Sequence, residues 1–184
     1  MQIKGSSLVA TERFVKQRFG SDGYQRLLQV LPKPSREIYE NPIIATQWYP
    51  INEGFYQPLE AICRLFFDGQ PRGARETGNY SAREGLRGVY RIFVRIASVD
   101  FILKKTPSIF ATYYQPGRME VLESQARRVV LRMTGVDEPH PLLEERICGW
   151  LEGAAEVCGE RNCRVSLISS MAQGDQYTDF EAKF

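Results

Sequence analysis

Histidine is almost missing from this chain: His140 stands alone among 184 residues. That excludes histidine-rich metal sites and leaves few ways to build a histidine-based catalytic triad. No apolar run approaches the roughly 20 residues of a membrane span. The charge excess is small, +2, so nothing global favours nucleic acid or an anionic membrane as partner. Met1 to Ala10 lacks the long apolar core of a secretory leader, which points to the cytoplasm. There is no phosphate-cradling glycine loop, since Gly69 to Gly73 lacks the lysine and the preceding strand. Gly-x-Ser-x-Gly and His-Glu-x-x-His are absent as well. Glu144 and Glu145 are adjacent and point apart on a helix, so they are no acid–base pair. These absences argue against an enzyme. Cysteine is sparse, and Cys63, Cys148, Cys158 and Cys163 read as reduced, buried thiols. No repeat or low-complexity tract occurs.

What remains is ordinary for one globular domain: 43% hydrophobic and 25% charged residues, at a length that supports a real core. The last third is the most legible. Leu143, Ile147, Trp150, Leu151, Ala154 and Cys158 recur at helical spacing over 142–158, with Glu144, Glu145, Arg146, Glu152 and Glu156 on the remainder. Pro139 and Pro141 suit its approach, and Gly159 its end. His140 falls in the loop before it, as a loop or capping residue. Beyond Gly159, Cys163, Val165, Leu167, Ser169 and Met171 alternate with Arg164, Ser166, Ile168 and Ser170. Thr178, Phe180, Ala182 and Phe184 then alternate with Tyr177, Asp179, Glu181 and Lys183. A hairpin about Gly174-Asp175 follows. A two-residue turn there sets Phe180 opposite Ser169 and Phe184 opposite Val165, a register that one residue of loop length would flip.

Upstream, Thr11 can cap a helix carrying Phe14, Val15 and Phe19. Gly20 ends it, and Ser21 can cap a second helix that stops at Pro32 and Pro34, followed by a loop. Trp48-Tyr49-Pro50 introduces a helix from Asn52 with Phe55, Leu59, Ile62, Cys63 and Phe66. A long helical pattern spans about Arg75 to Lys104, broken at Gly78 to Ser81. Its apolar stripe runs Leu86, Val89, Tyr90, Phe93, Ile96, Ala97, Phe101. Arg83, Arg87, Arg91 and Arg95 lie at four-residue spacing, where like charges cost about 0.2–0.5 kcal/mol per pair. Either they form a solvated face with Glu84 and other carboxylates nearby, or they meet an acidic protein partner. Thr106-Pro107 starts a short helix with Ile109, Phe110 and Tyr113. Strands follow over 118–124 and 127–134, the second with Val129, Leu131 and Met133 on one side and Arg128 and Arg132 on the other. The fold class is α+β. A helical half, about 1–116, packs on a four-stranded antiparallel sheet, about 117–184, with one helix inserted between its two hairpins.

The segments IKGSSL, QWYP, ETGNYSAREGLRGVYRIF, FILKKTPSIFATYYQPGRMEVLE, HPLLEERICGWLEGAAEVCG and SSMAQGDQYTDFEAKF, in that order, carry a resemblance. The chain resembles the superfamily that joins haem–nitric-oxide (H-NOX) domains, 4-vinyl-reductase-type domains and transport-protein-particle (TRAPP) subunits. It is most similar, over nearly its whole length, to a bacterial family in that group. The H-NOX resemblance implies haem on a histidine of the helix before the first strand pair, with a Tyr-x-Ser-x-Arg motif. Neither is here, so no haem and no other cofactor is expected. The 4-vinyl-reductase resemblance implies zinc on a cysteine at Cys148 and two more on the last hairpin. Those positions are Ser170 and Thr178, poor ligands, so no metal is expected. The TRAPP resemblance implies a homodimeric scaffold with an acyl chain in an apolar tunnel, to which Cys63 would be the attachment point if it is more than a buried thiol.

Together these give two expectations. One is a non-haem small-molecule-binding or signalling module acting through dimerisation or protein partners. Its small apolar ligand would lie among Tyr90, Phe93, Phe101, Phe110, Tyr113 and Trp150, although core packing also accounts for each of these. The other is a structural adaptor with a filled core.

Overall fold

The computed structural model describes residues 1–87 and 98–184. Two helices, α4 (Arg72–Arg87) and α6 (Pro141–Val157), cross in backbone contact. A Cβ added at Gly78 would lie 2.0 Å from the Arg146 carbonyl oxygen, and one at Gly149 would lie 1.9 Å from that of Arg75. The glycines let the two backbones touch. Gly78 therefore does not break the helix at 78–81, as its backbone freedom suggests; α4 runs unbroken through it. Across the crossing, the Arg75 guanidinium donates to Glu145 at 2.8 Å and Glu152 at 2.9 Å, and Glu152 also accepts from the Val165 amide at 3.0 Å.

The N-terminal half is more helical than its sequence suggests. Strand β1 (Gln2–Lys4) leads directly into α1 (Gly5–Val30). Helix α1 thus begins before Thr11, whose hydroxyl donates back to the Ser7 carbonyl at 3.1 Å instead of capping a terminus. The expected break at Gly20 is present: with φ 71° and ψ −175° its backbone is non-helical, and α1 is two helices that meet there. Beyond Leu31 the chain does not stay irregular. Pro34 sits in the first turn of α2 (Lys33–Glu40), where its missing N–H costs nothing. Strand β2 (Trp48–Pro50), a π-helical turn (Asn52–Tyr56) and α3 (Gln57–Phe66) follow.

Helix α5 (Val99–Tyr113) is continuous, capped by the Ser98 hydroxyl, which accepts from the Phe101 amide at 3.3 Å. Thr106 and Pro107 lie inside it, not at the start of a separate helix; the Thr106 hydroxyl donates to the Ile102 carbonyl one turn back. Strand β3 (Tyr114–Gln115) joins β1 and β2 in a small antiparallel sheet, order β2-β1-β3, which the sequence pattern does not announce.

Strands β4 (Arg118–Gln125), β5 (Arg128–Thr134), β6 (Arg164–Ser169) and β7 (Thr178–Lys183) make one antiparallel sheet, order β4-β5-β7-β6. The architecture is α+β, with α6 inserted between the two hairpins as expected. Val129, Leu131, Met133, Phe180 and Ala182 are buried on its inner side. On the outer side Arg132 grips the Asp179 carboxylate with two bonds, 2.8 and 2.7 Å, and lies over the Tyr177 ring. The register of the last hairpin differs from expectation. Phe180 faces Leu167, and Ala182 faces Val165, with an irregularity between Leu167 and Ser169. The connection is not a two-residue turn but a longer path, 170–177, with a 3-10 turn at Met171–Gln173.

Candidate functional site

Helix α6 is covered on several sides: by α4, by α5 (Val99–Tyr113) and by the sheet, with Arg146 reaching α1. The polar stretch at its start is therefore inside the protein, not on the outer face that the helical pattern assigns to it. Glu144 and Arg146 are each 2% exposed. Arg146 reaches toward α1, its guanidinium donating to Ser7 Oγ at 3.1 Å, Thr11 Oγ1 at 3.3 Å and the Ser7 carbonyl at 3.5 Å. It lies 5.1 Å from the centre of the Phe55 ring, with the Tyr114 hydroxyl also in bonding reach. Among the described residues its partners are all neutral. Loss of water pushes this guanidinium below its ordinary pKa, and the same burial pushes the Tyr114 and Tyr39 hydroxyls up.

Arg146 lines a chamber of about 40 Å³ that also touches Ser7, Thr106, Phe110, Tyr113 and Trp150. Its walls are mostly apolar. Next to it runs an open groove of about 470 Å³ along α4, α5 and α6, bordered by Leu86, Phe101, Ile102 and Lys105. Three side chains, Ile109, Tyr113 and Trp150, face both spaces. Of the six candidate pocket residues, the four described ones fall here: Phe110 on the chamber, Phe101 on the groove, Tyr113 and Trp150 on both. Phe101 is 49% exposed at the groove rim and is not part of a buried stripe. Tyr90 and Phe93 lie outside the described residues.

Glu144 organises the last hairpin. Its carboxylate accepts from Ser170 Oγ at 2.7 Å, Thr178 Oγ1 at 2.6 Å and the Ala172 amide at 3.3 Å. Thr178 Oγ1 in turn accepts from the Met171 amide at 2.9 Å. The two hydroxyls at the hairpin positions thus tie the hairpin to α6. A carboxylate in the first turn of a helix is also favoured by the helix dipole. Zinc does not suit this set, because both hydroxyls are spent on Glu144 and the Cys148 thiol is pushed up to about 12 by burial. Cys163 is likewise pushed up to about 11, and burial raises Cys63 and Cys158. Among the described residues no group of three or more metal-ligating side chains converges. Cys63 packs against Gly73 of α4 and lines none of these spaces.

No family model matches the chain, and no curated protein does. Solved structures do. An H-NOX protein from S. oneidensis in the Fe(II)NO ligation state aligns over 98% of each chain, with TM-score 0.74 and 13% identity. The Fe(II) unliganded H-NOX protein from K. algicida gives 0.68 and 10%, over 98% of this chain and 95% of that one. A mutant of T. tengcongensis H-NOX gives 0.67 and 10%, over 98% and 97%. The chain has the H-NOX fold.

The H-NOX fold implies haem, and the donor set here does not suit it. Helix α5, which precedes the first pair of long strands, offers no histidine, cysteine or methionine. His140 is engaged elsewhere. Its Nδ1 accepts from the Leu142 amide at 3.2 Å, its Nε2 lies 3.3 Å from a Glu60 carboxylate oxygen, and its ring stacks on Tyr56 at 4.4 Å. It is the cap of α6.

The arginine ridge is only partly described. Arg83 pairs with Glu156 of α6 at 3.2 Å; Arg91 and Arg95, and the side chain of Arg87, lie outside the described residues. Arg83 also lines a cleft of about 680 Å³ with Arg18, Arg72, Arg75 and Arg164, where Glu76 and Glu152 offset two of the five positive charges. Sequence reasoning missed Arg146 and Glu144 as interior groups. The available signal was the spread of Gly149, Gly153, Ala154 and Ala155 around α6, which marks a helix packed on more than one side.

Proposed function

We propose that this chain is a small-molecule-binding sensor module, not an enzyme, whose ligand sits between α5 and α6 and whose output is a contact with a second copy or a partner protein. The observation that carries the reading is a chamber and an apolar groove that share Ile109, Tyr113 and Trp150 in their walls. At about 470 Å³ the groove lies within the roughly 300–1,000 Å³ typical of ligand sites, with mostly apolar walls and a few polar groups. A protein of this fold from S. oneidensis is described in an Fe(II)NO ligation state. The reading takes over only the binding of a small ligand, without the haem. Ligand contacts on α5 and α6 reach the sheet and α4 directly, which supports a module that reports occupancy at its surface.

The chamber, at about 40 Å³, is nearly filled by side chains. This favours a second reading, a structural adaptor. Native mass spectrometry of the purified chain separates the two. A mass beyond the chain that survives buffer exchange supports the sensor; a bare monomer or dimer, silent to added apolar ligands in thermal-shift assays, overturns it. No helix among the described residues is long and apolar enough to cross a membrane.

A further inference from the structure

Arg146 poses an electrostatic problem that its protein partners leave half solved. A buried cation is unfavourable unless an opposite charge offsets it. Among the described residues its bonds go to the Ser7 and Thr11 hydroxyls and the Ser7 carbonyl, the Tyr114 hydroxyl is in reach, and its ring contact is to Phe55. These satisfy N–H groups without supplying a negative charge. The carboxylates beside it on the helix are committed elsewhere, Glu144 to Ser170, Thr178 and the Ala172 amide, and Glu145 to Arg75. The chamber that Arg146 faces holds about three water-sized groups, at roughly 10–15 Å³ each. That is room for a carboxylate and its first carbon, with no space for a longer body. The body has the groove, which is mostly apolar and shares Ile109, Tyr113 and Trp150 with the chamber.

Resting on the sensor reading above, we propose that the ligand is a small carboxylic acid with an apolar body: its carboxylate pairs with Arg146 in the chamber, and its hydrocarbon part lies in the groove beside Phe101 and Ile102. A guanidinium matches a carboxylate with two parallel N–H bonds, which reads head-group shape as well as charge. Binding requires Ile109, Tyr113 and Trp150 to change side-chain conformation so that the two spaces become one. No backbone rearrangement is invoked. The paired charge is then a source of specificity. A neutral alcohol of equal length fills the groove equally well, yet leaves the guanidinium without its counter-charge.

The test is calorimetric titration of the full chain with octanoate, 1-octanol and acetate. Octanoate is expected to bind at least ten-fold tighter than octanol, and acetate weakly or not at all. Arg146→Met is expected to remove the octanoate preference and leave octanol binding. Ile109→Trp, on the groove wall, is expected to weaken octanoate and octanol together. Equal binding of octanol and octanoate by the native chain would overturn the role of Arg146 and leave the pocket standing. Retention of the preference in Arg146→Met would do the same. Failure of both eight-carbon compounds to bind would overturn the pocket reading with it. Should Arg146→Met fail to fold, the ratio measured on the native chain still decides.

Discussion

Glu144 shows how one side chain can replace a more elaborate device. Three donors from the 170–178 segment converge on its carboxylate, so the connection between the last two strands is held by a single residue of another element. Removing it leaves two hydroxyls and an amide to be resolvated inside the protein, at about 1–3 kcal/mol for each stranded group. Glu144→Ala is therefore expected to lower stability by about 3 kcal/mol or more, read from the midpoint of urea unfolding. Glu144→Gln, which keeps an acceptor, should lose less. If Glu144→Ala unfolds at the wild-type midpoint, the carboxylate is not what holds the hairpin. Arg146, on the same helix, is the opposite case: a charge whose bonds are made and whose counter-charge is not.

Among the elements, the α4–α6 crossing carries the clearest prediction. Gly149→Ala would push a methyl into the Arg75 carbonyl, a backbone atom that cannot rotate away. Overpacking of this kind costs about 1–3 kcal/mol and sometimes more, so the thermal midpoint should fall by several degrees. Gly135→Ala meets no atom, but its φ of 65° makes the substitution strained for a different reason. The two together distinguish contact from backbone strain, since a larger residue at 149 worsens the loss and one at 135 does not. These glycines also show why the sequence misleads locally. Gly78 reads as a helix breaker on propensity alone, and only the partner helix reveals that it is there for contact. The same holds for Pro34 and Pro107, which sit in helices because a first turn and a tertiary setting tolerate them. Alternation along β5 was legible because its two sides meet different surroundings, Val129, Leu131 and Met133 inward against Arg128 and Arg132 outward. The register of the final hairpin was not, because it goes with the longer 170–177 connection, which is tied to Glu144, remote in sequence. Four of the six aromatics picked out by spacing, Phe101, Phe110, Tyr113 and Trp150, line the chamber or the groove; the buried arginine could not be picked out, because an amphipathic pattern assumes that a helix has an outside.

For the molecule as a whole, burial of weak acids predicts a pH response. The folded state keeps Cys148 and Cys163 as neutral thiols, with values pushed up to about 12 and about 11, while the unfolded chain ionises them at about pH 8.5. Their contribution is complete below that pH. Above it the unfolded state releases protons first, and stability falls by up to about 1.4 kcal/mol per pH unit for each group. Tyr24, Tyr39 and Tyr56, raised chiefly by burial, extend the decline above the ordinary tyrosine range. Urea midpoints should fall progressively from about pH 8.5 to about pH 10.5, and Cys148→Ala should flatten that slope while lowering stability at neutral pH. A midpoint that stays level over this range would contradict the protonated interior.

Helix α6 is hemmed in by backbone at Gly149 and Gly153, by the hairpin at Glu144 and by α1 at Arg146. Drift in the genome has little purchase on such a segment. A substitution at Glu144, Arg146, Gly149 or Gly153 would strand a donor, unseat a charge or meet another atom, so these four positions are where descendants of this chain should diverge most slowly.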